Sequence, residues 1–270
     1  MTLDSFLLLV VGGGVAGMIG AMLGLGGGVF LIPFLALVIG LPMHQAVATS
    51  ILAVIATSSA GAAMNVERQV VNLRLGMVLE ISTVLGAILG GLTANMLSGQ
   101  ALSRIFASLL IIVSFIMIWR VRHFRQDHTA PEEGLFPSSF KDESSGEIIS
   151  YSAKRVPAVF LVALVAGNIS GLLGVGGGIF KVPAMNMISG VPIKAATATS
   201  NFMIGVTAAA SAFIYFSHGH INPFVASPAV LGVLGGSFLG IKINRRIRGS
   251  LLTWIFAAVL FIIAVRMFAR

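Results

Sequence analysis

Two glycine clusters offer this chain its chemistry. Residues 24–28 read GLGGG and residues 174–178 read GVGGG, each inside an apolar stretch. At such breaks Gly26, Gly27, Gly28, Gly176, Gly177 and Gly178 bare backbone N–H groups with no side chain in the way. The segments that follow, VFLIPF and IFKVPA, start short helices at the break. A helix N-terminus carries about half a positive charge and unpaired N–H donors. Two such ends facing each other make a site for an anion. The plainer alternative is that the glycines only let helices approach closely.

Lys181 is the one formal charge set well inside an apolar element, three residues past the second cluster. A lysine there costs roughly 2.5–3.5 kcal/mol on insertion scales, which marks it as a functional residue unless it snorkels to the surface. Thr49 and Ser50, matched by Thr199, Ser200 and Asn201, could donate to an anion's oxygens or bond back to their own helix. Asn168 and Asn186 flank the second break. Glu80 is the only acid in a plain helix. It is expected to reach the interface near Arg74, with a coupling proton as the alternative. His44, His218 and His220 read as surface residues or weak pH sensors. Nothing has metal-ligand spacing, no cysteine is present, and no nucleophile–base pair or soluble βαβ unit surrounds the glycines. An enzyme, a metal and a cofactor are therefore not expected.

The elements that hold these residues repeat. An offset of 150 aligns residues 11–60 with 161–210 at 19 identities in 50, without a gap. GLP at 40–42 meets GVP at 190–192, and AVATS at 46–50 meets ATATS at 196–200. Gly86 and Gly90 meet Gly236 and Gly240, two GxxxG pairs that suit helix packing. The first unit is 1–120, the second 156–270, and 121–155 connects them. In the first, apolar segments fall at 5–23, 29–40, 44–64, 75–97 and 101–119. In the second they fall at 156–173, 179–190, 194–216, 224–243 and 250–268. The connection carries six of the nine acids (Asp127, Glu132, Glu133, Asp142, Glu143 and Glu147) and reads as a mobile loop.

With 57% apolar and 10% charged residues over 270 positions, the chain has too few polar residues to cover a soluble surface. Apolar runs of about 18–22 residues read as membrane spans. The net charge of +8 lies in short connections, which points to membrane orientation and away from nucleic acid. The N-terminus lacks a basic secretory n-region and reads as the first membrane element. Placing Arg68/Arg74, the 120–155 segment and Lys242–Arg248 on the cytoplasmic side leaves Arg104, Arg266 and Arg270 outside. Each broken element must then enter and return. Each half crosses an odd number of times, and the halves are inverted. The expected fold is all-α and polytopic: two inverted repeats, each a glycine-broken re-entrant helix pair plus three transmembrane helices.

The doubled pair GLGGGVFLIP and GVGGGIFKVP, each followed by a PxxxAxATS-like stretch, resembles the sulfite exporter TauE/SafE family, also called the sulfonate uptake permeases. The resemblance spans residues 5–120 and 156–270. It implies a multi-pass transporter of the bacterial inner membrane for small sulfur-containing or organic anions such as sulfite, sulfoacetate or related sulfonates. The expected function is export by alternating access, since a negative interior drives an anion outward without a coupling ion. The alternatives are proton-coupled uptake, which would use Glu80, and a non-transporting scaffold or sensor that docks through the connecting loop. The expected partners are the anion and the lipid bilayer. A homodimer fits but is not required.

Overall fold

The computed structural model describes residues 3–23, 27–123, 134–141, 146–244 and 249–268. It is mostly helical, with α1 (Leu3–Leu23), α2 (Gly28–Pro33, continued as one π turn to Val38), α3 (Met43–Glu67), α4 (Leu73–Met96) and α5 (Gly99–His123). The second half has α6 (Val156–Leu173), α7 (Gly178–Met187), α8 (Ile193–Ser217), α9 (Pro223–Asn244) and α10 (Gly249–Phe268). Seven of these (α1, α3, α4, α5, α6, α8 and α9) are long and apolar enough to cross a membrane. The chain is a polytopic all-α membrane protein.

Helices pair across the halves. α1 lies on α9, and α6 lies on α4. Both pairs are seamed by glycine: Gly86 and Gly90 press against the Leu164 and Asn168 carbonyls, and Gly236 and Gly240 against those of Gly14 and Met18. Each residue in the second set is the first set's partner at the 150 offset. A side chain at any of these glycines would meet backbone, so the GxxxG pairs are packing surfaces. α3 and α8 cross in opposite directions, with Gly61 facing Asn201 and Gly205 facing Ser58.

The first broken element folds back on the helix before it. Gly27 returns to the level of Gly17, and Phe34 packs over Gly12, so α2 runs back along α1. Gly27 and Gly177, at φ 68° and 66°, sit in the left-handed region that glycine tolerates. Each carbonyl accepts from the first turn of the helix it starts: Gly27 from Leu31 N at 3.0 Å, Gly177 from Lys181 N at 3.2 Å.

The connection corrects the expectation of a loop. Residues Leu135–Lys141 (β1) and Ile148–Ala153 (β2) form an antiparallel hairpin, with Phe140 opposite Ile149 and Ser138 opposite Tyr151. Phe140 and Tyr151 are buried with Leu75, Leu79 and Val191, which ties the hairpin to both halves. Asn72 Nδ2 donates to the Phe136 carbonyl at 3.1 Å, and Lys154 N to that of Ser189 at 3.0 Å. Arg68, Lys141 and Lys194 line one cleft on this face. His44 and His220 meet on the opposite face. Gly26, Arg245, Arg246, Arg248, Arg270 and the acids Asp127, Glu132, Glu133, Asp142 and Glu143 lie outside the described residues.

Candidate functional site

The two breaks meet at the middle of the bundle. A Cβ on Gly28 would lie 2.7 Å from both the Gly174 carbonyl oxygen and Ser50 Oγ. Ser50 Oγ donates to that same carbonyl at 2.9 Å, so the first half's serine pins the second half's break. Ser200 stands over Gly178, 3.3 Å from where its Cβ would be. Gly176, Gly177 and Gly178 are buried, as are Gly27 and Gly28. Thr49 Oγ1 and Ser200 Oγ are buried and have no hydrogen-bond partner among the described residues. Thr199 Oγ1 accepts the Asn72 backbone N–H at 3.0 Å, so it also positions the start of α4.

Lys181 sits in the first turn of α7, 1% exposed, and its Nζ has no hydrogen-bond partner among the described residues. It does not snorkel. Its charge lies within electrostatic reach of Glu80.

Glu80 corrects its expectation. It does not reach the interface beside Arg74 but is 7% exposed inside the bundle. Thr207 Oγ1 donates to its Oε1 at 2.7 Å, and Thr83 Oγ1 to its Oε2 at 2.9 Å. The reason is the depth at which α4 begins. Asn72, its N-cap, is buried and bonded to Thr199, so α4 starts level with the second turn of α8. Further along α4, Glu80 meets Thr207, near the middle of α8.

Nothing in the sequence alone marks Thr83 or Thr207. Thr207 is one of the identities at the 150 offset, paired with Thr57, but Thr57 only bonds back to its own helix, at Ala53 O (3.0 Å) and Val54 O (3.2 Å). The same offset maps Lys181, Glu80 and Thr83 onto Leu31, Val230 and Val233. The charged cluster therefore occupies one of two related places, and the other carries no charge, with Thr57 its one polar counterpart.

The remaining residues go elsewhere. Asn201 is half-buried and lines the cleft on the hairpin face. Asn186 Nδ2 donates to Val191 O at 2.9 Å and holds a turn. Asn168 lends its carbonyl to the Gly90 contact. His44 donates through Nε2 to Ala94 O at 3.0 Å and stacks on His220 at 4.9 Å between centroids. His218 also stacks on His220, at 6.3 Å between centroids. Burial first, then the charges of His44 and His218, push His220 below the usual histidine range.

Comparison with known proteins agrees with this architecture. The profile of the family described as Sulfite exporter TauE/SafE matches residues 9–267. This chain belongs to that family. It is 29% identical over 266 residues to the probable membrane transporter protein YunE of Bacillus subtilis (strain 168), covering 96% of each. It is 26% identical to a probable membrane transporter protein of Xylella fastidiosa (strain Temecula1), over 98% of this chain and 95% of the relative. A probable membrane transporter protein of Methanocaldococcus jannaschii shares 25% identity over 89% of this chain and 86% of its own length. No solved structure matches significantly. The TauE/SafE protein described here is a membrane transporter, not an enzyme, and the scaffold reading has no support beside this.

Proposed function

We propose that this transporter exports a small sulfur-containing or organic anion (sulfite, sulfoacetate or a related sulfonate) across the bacterial inner membrane by alternating access. One observation carries the reading. The Lys181 ammonium is buried without a hydrogen-bond partner among the described residues, one turn past a break that abuts the other break. The two Glu80 oxygens each accept a threonine hydroxyl, and the ammonium bonds to neither of them. A buried ammonium is costly until its donors are used, and an anion would use them. Gly27, Gly28, Ser50, Gly176–Gly178 and Ser200 lie at or beside the same junction, and the reading adds Thr49 and Thr199, their neighbours in sequence. The opposite directions of α3 and α8 support inverted halves, and α2 running back along α1 supports re-entry. A potential that is negative inside favours exit of one negative charge by roughly 2.3 kcal/mol per 100 mV.

The test is flux of labelled sulfite in proteoliposomes under an imposed potential without a pH gradient, with sulfoacetate and sulfate as competitors. Potential-driven flux with a KM raised about ten-fold or more in Lys181→Met supports the reading. Unchanged affinity in that variant removes Lys181 from the site.

The second reading, proton-coupled uptake, draws on the burial of Glu80 beside Lys181. It expects flux only with a pH gradient and its loss in Glu80→Gln.

A further inference from the structure

The two ends of the α3–α8 pair differ. On the hairpin face the end of α3 and the start of α8 part around a cleft of about 480 Å³. On the other face the start of α3 and the end of α8 are closed on each other. His44 stacks there on His220 at 4.9 Å between centroids, and the Tyr215 ring lies 6.1 Å from that of His220. The 150 offset relates these ends residue by residue. Lys194 and Val70 line the cleft, and their counterparts are the stacked pair His44 and His220. Asn65, Thr197 and Asn201 line the cleft half-buried, and their counterparts Tyr215, Val47 and Ile51 are 0%, 0% and 1% exposed. One sequence pattern, used twice, is parted at one end and packed at the other. Tyr215 Oη donates to the Leu172 carbonyl at 3.0 Å, which ties the packed end to the last turn of α6, two residues before the second break.

The crossing between these helices also differs from the glycine seams. A Cβ on Gly61 would stand 3.8 Å from Asn201 Nδ2, and one on Gly205 3.2 Å from Ser58 Oγ, side-chain atoms in both cases. At Gly86, Gly90, Gly236 and Gly240 the neighbour is backbone. Side chains at a crossing change rotamer as packed helices shear past each other. α3 and α8 are therefore the pair free to rock, while the glycine-seamed pairs move whole.

We propose that the His44–His220 contact is the closed gate of the face away from the hairpin, and that it exchanges with the cleft. When the histidines part, Val47 and Ile51 come to line an opening on their face, and Thr197 and Asn201 become packed on the other. The gate's part in flux rests on the transport reading above; the exchange between two closures does not.

The chain has no cysteine, so each introduced thiol reports alone. The test labels the full chain with a membrane-impermeant maleimide in right-side-out and inside-out vesicles. Ser139→Cys, at an exposed hairpin residue, marks the side each preparation presents. Thr197→Cys should label from the hairpin side, and its counterpart Val47→Cys from neither side. Adding His44→Ala/His220→Ala removes the stack. Labelling of Val47→Cys from the far side should then rise, and that of Thr197→Cys from the hairpin side should fall. Each change should be roughly three- to ten-fold, the factor an aromatic pair contributes to a two-state equilibrium. Unfolding would raise both, so the opposite signs separate gating from damage. No change at either position overturns the proposal. A second measurement keeps the packing: in proteoliposomes, bridging His44→Cys/His220→Cys with a short bifunctional thiosulfonate should stop flux of labelled sulfite, and reductant should restore it. Flux that persists through the bridge overturns the proposal. Labelling that follows the expectation in a protein that moves no sulfite would keep the gate and sink the transport reading alone.

Discussion

Thr207 Oγ1 donates to Glu80 Oε1 at 2.7 Å, a bond between the two halves of the chain inside an apolar bundle. A hydrogen bond to a buried charged group contributes about 1.5–3 kcal/mol, and the orphaned acceptor adds its own cost. Thr207→Val should therefore lower thermal stability in detergent by about 2 kcal/mol. Thr57→Val, at the matched position where the hydroxyl serves only its own helix, should change it by less than about 0.5 kcal/mol. Equal effects would mean that the interhelix bond is not what matters at Thr207.

Glycine contacts between helices make a sharper contrast. Gly90 of α4 presses on the Asn168 carbonyl of α6, so Gly90→Val should abolish accumulation of folded protein, read as loss of the monodisperse peak in size-exclusion chromatography. Gly235, one residue from the tightly packed Gly236, has open space where a methyl group would project, with nothing within 4 Å. Gly235→Ala should fold normally and gain about 0.5–1 kcal/mol from helix propensity.

The histidine stack makes stability pH-dependent on the face away from the hairpin. His220 is held below its ordinary value of 6.5 in the folded protein. Above pH 6.5 both folded and unfolded forms are neutral there, and nothing is lost. As pH falls from 6.5 toward the folded value the unfolded chain binds the proton more readily, so stability drops, and it levels off below that value. Thermal melts from pH 8 to 5 should show this decline, and His220→Gln should flatten it. A melt profile unchanged by that substitution would assign the acid sensitivity elsewhere.

The hairpin is structural. Phe140 is 4% exposed and packs in the cluster that contains Leu75 and Leu79. Phe140→Ala should cost about 3 kcal/mol, within the range for large buried aromatics, measured by thermal unfolding. A cost below about 1 kcal/mol would make the hairpin a passive appendage.

Much of the frame is legible in the sequence. The breaks show because glycines cluster inside apolar runs, and the duplication shows because it holds one offset through GLP/GVP and AVATS/ATATS. Lys181 is visible because charge is rare in such an element. The place of Glu80 is not, because its depth depends on where α4 starts, and that is set by the Asn72–Thr199 bond across 127 positions of chain. Thr83 and Thr207 are hidden for the same reason: each is an ordinary helix threonine until Glu80 lies between them. The hairpin is hidden by composition. Its serines and its charged neighbours read as loop, and Phe140 and Tyr151 become core residues only when Leu75 and Leu79 meet them.

The glycine seams have a mechanical consequence. α1 is locked to α9 and α6 to α4, so the tightest bodies are each assembled from both copies of the repeated unit. The unit of duplication is not the unit of motion. Cutting the chain within 124–133 would yield two fragments whose glycine faces have no counterpart until they find one another. Co-expressed, they should reassemble; expressed singly, neither has the other's backbone to close upon.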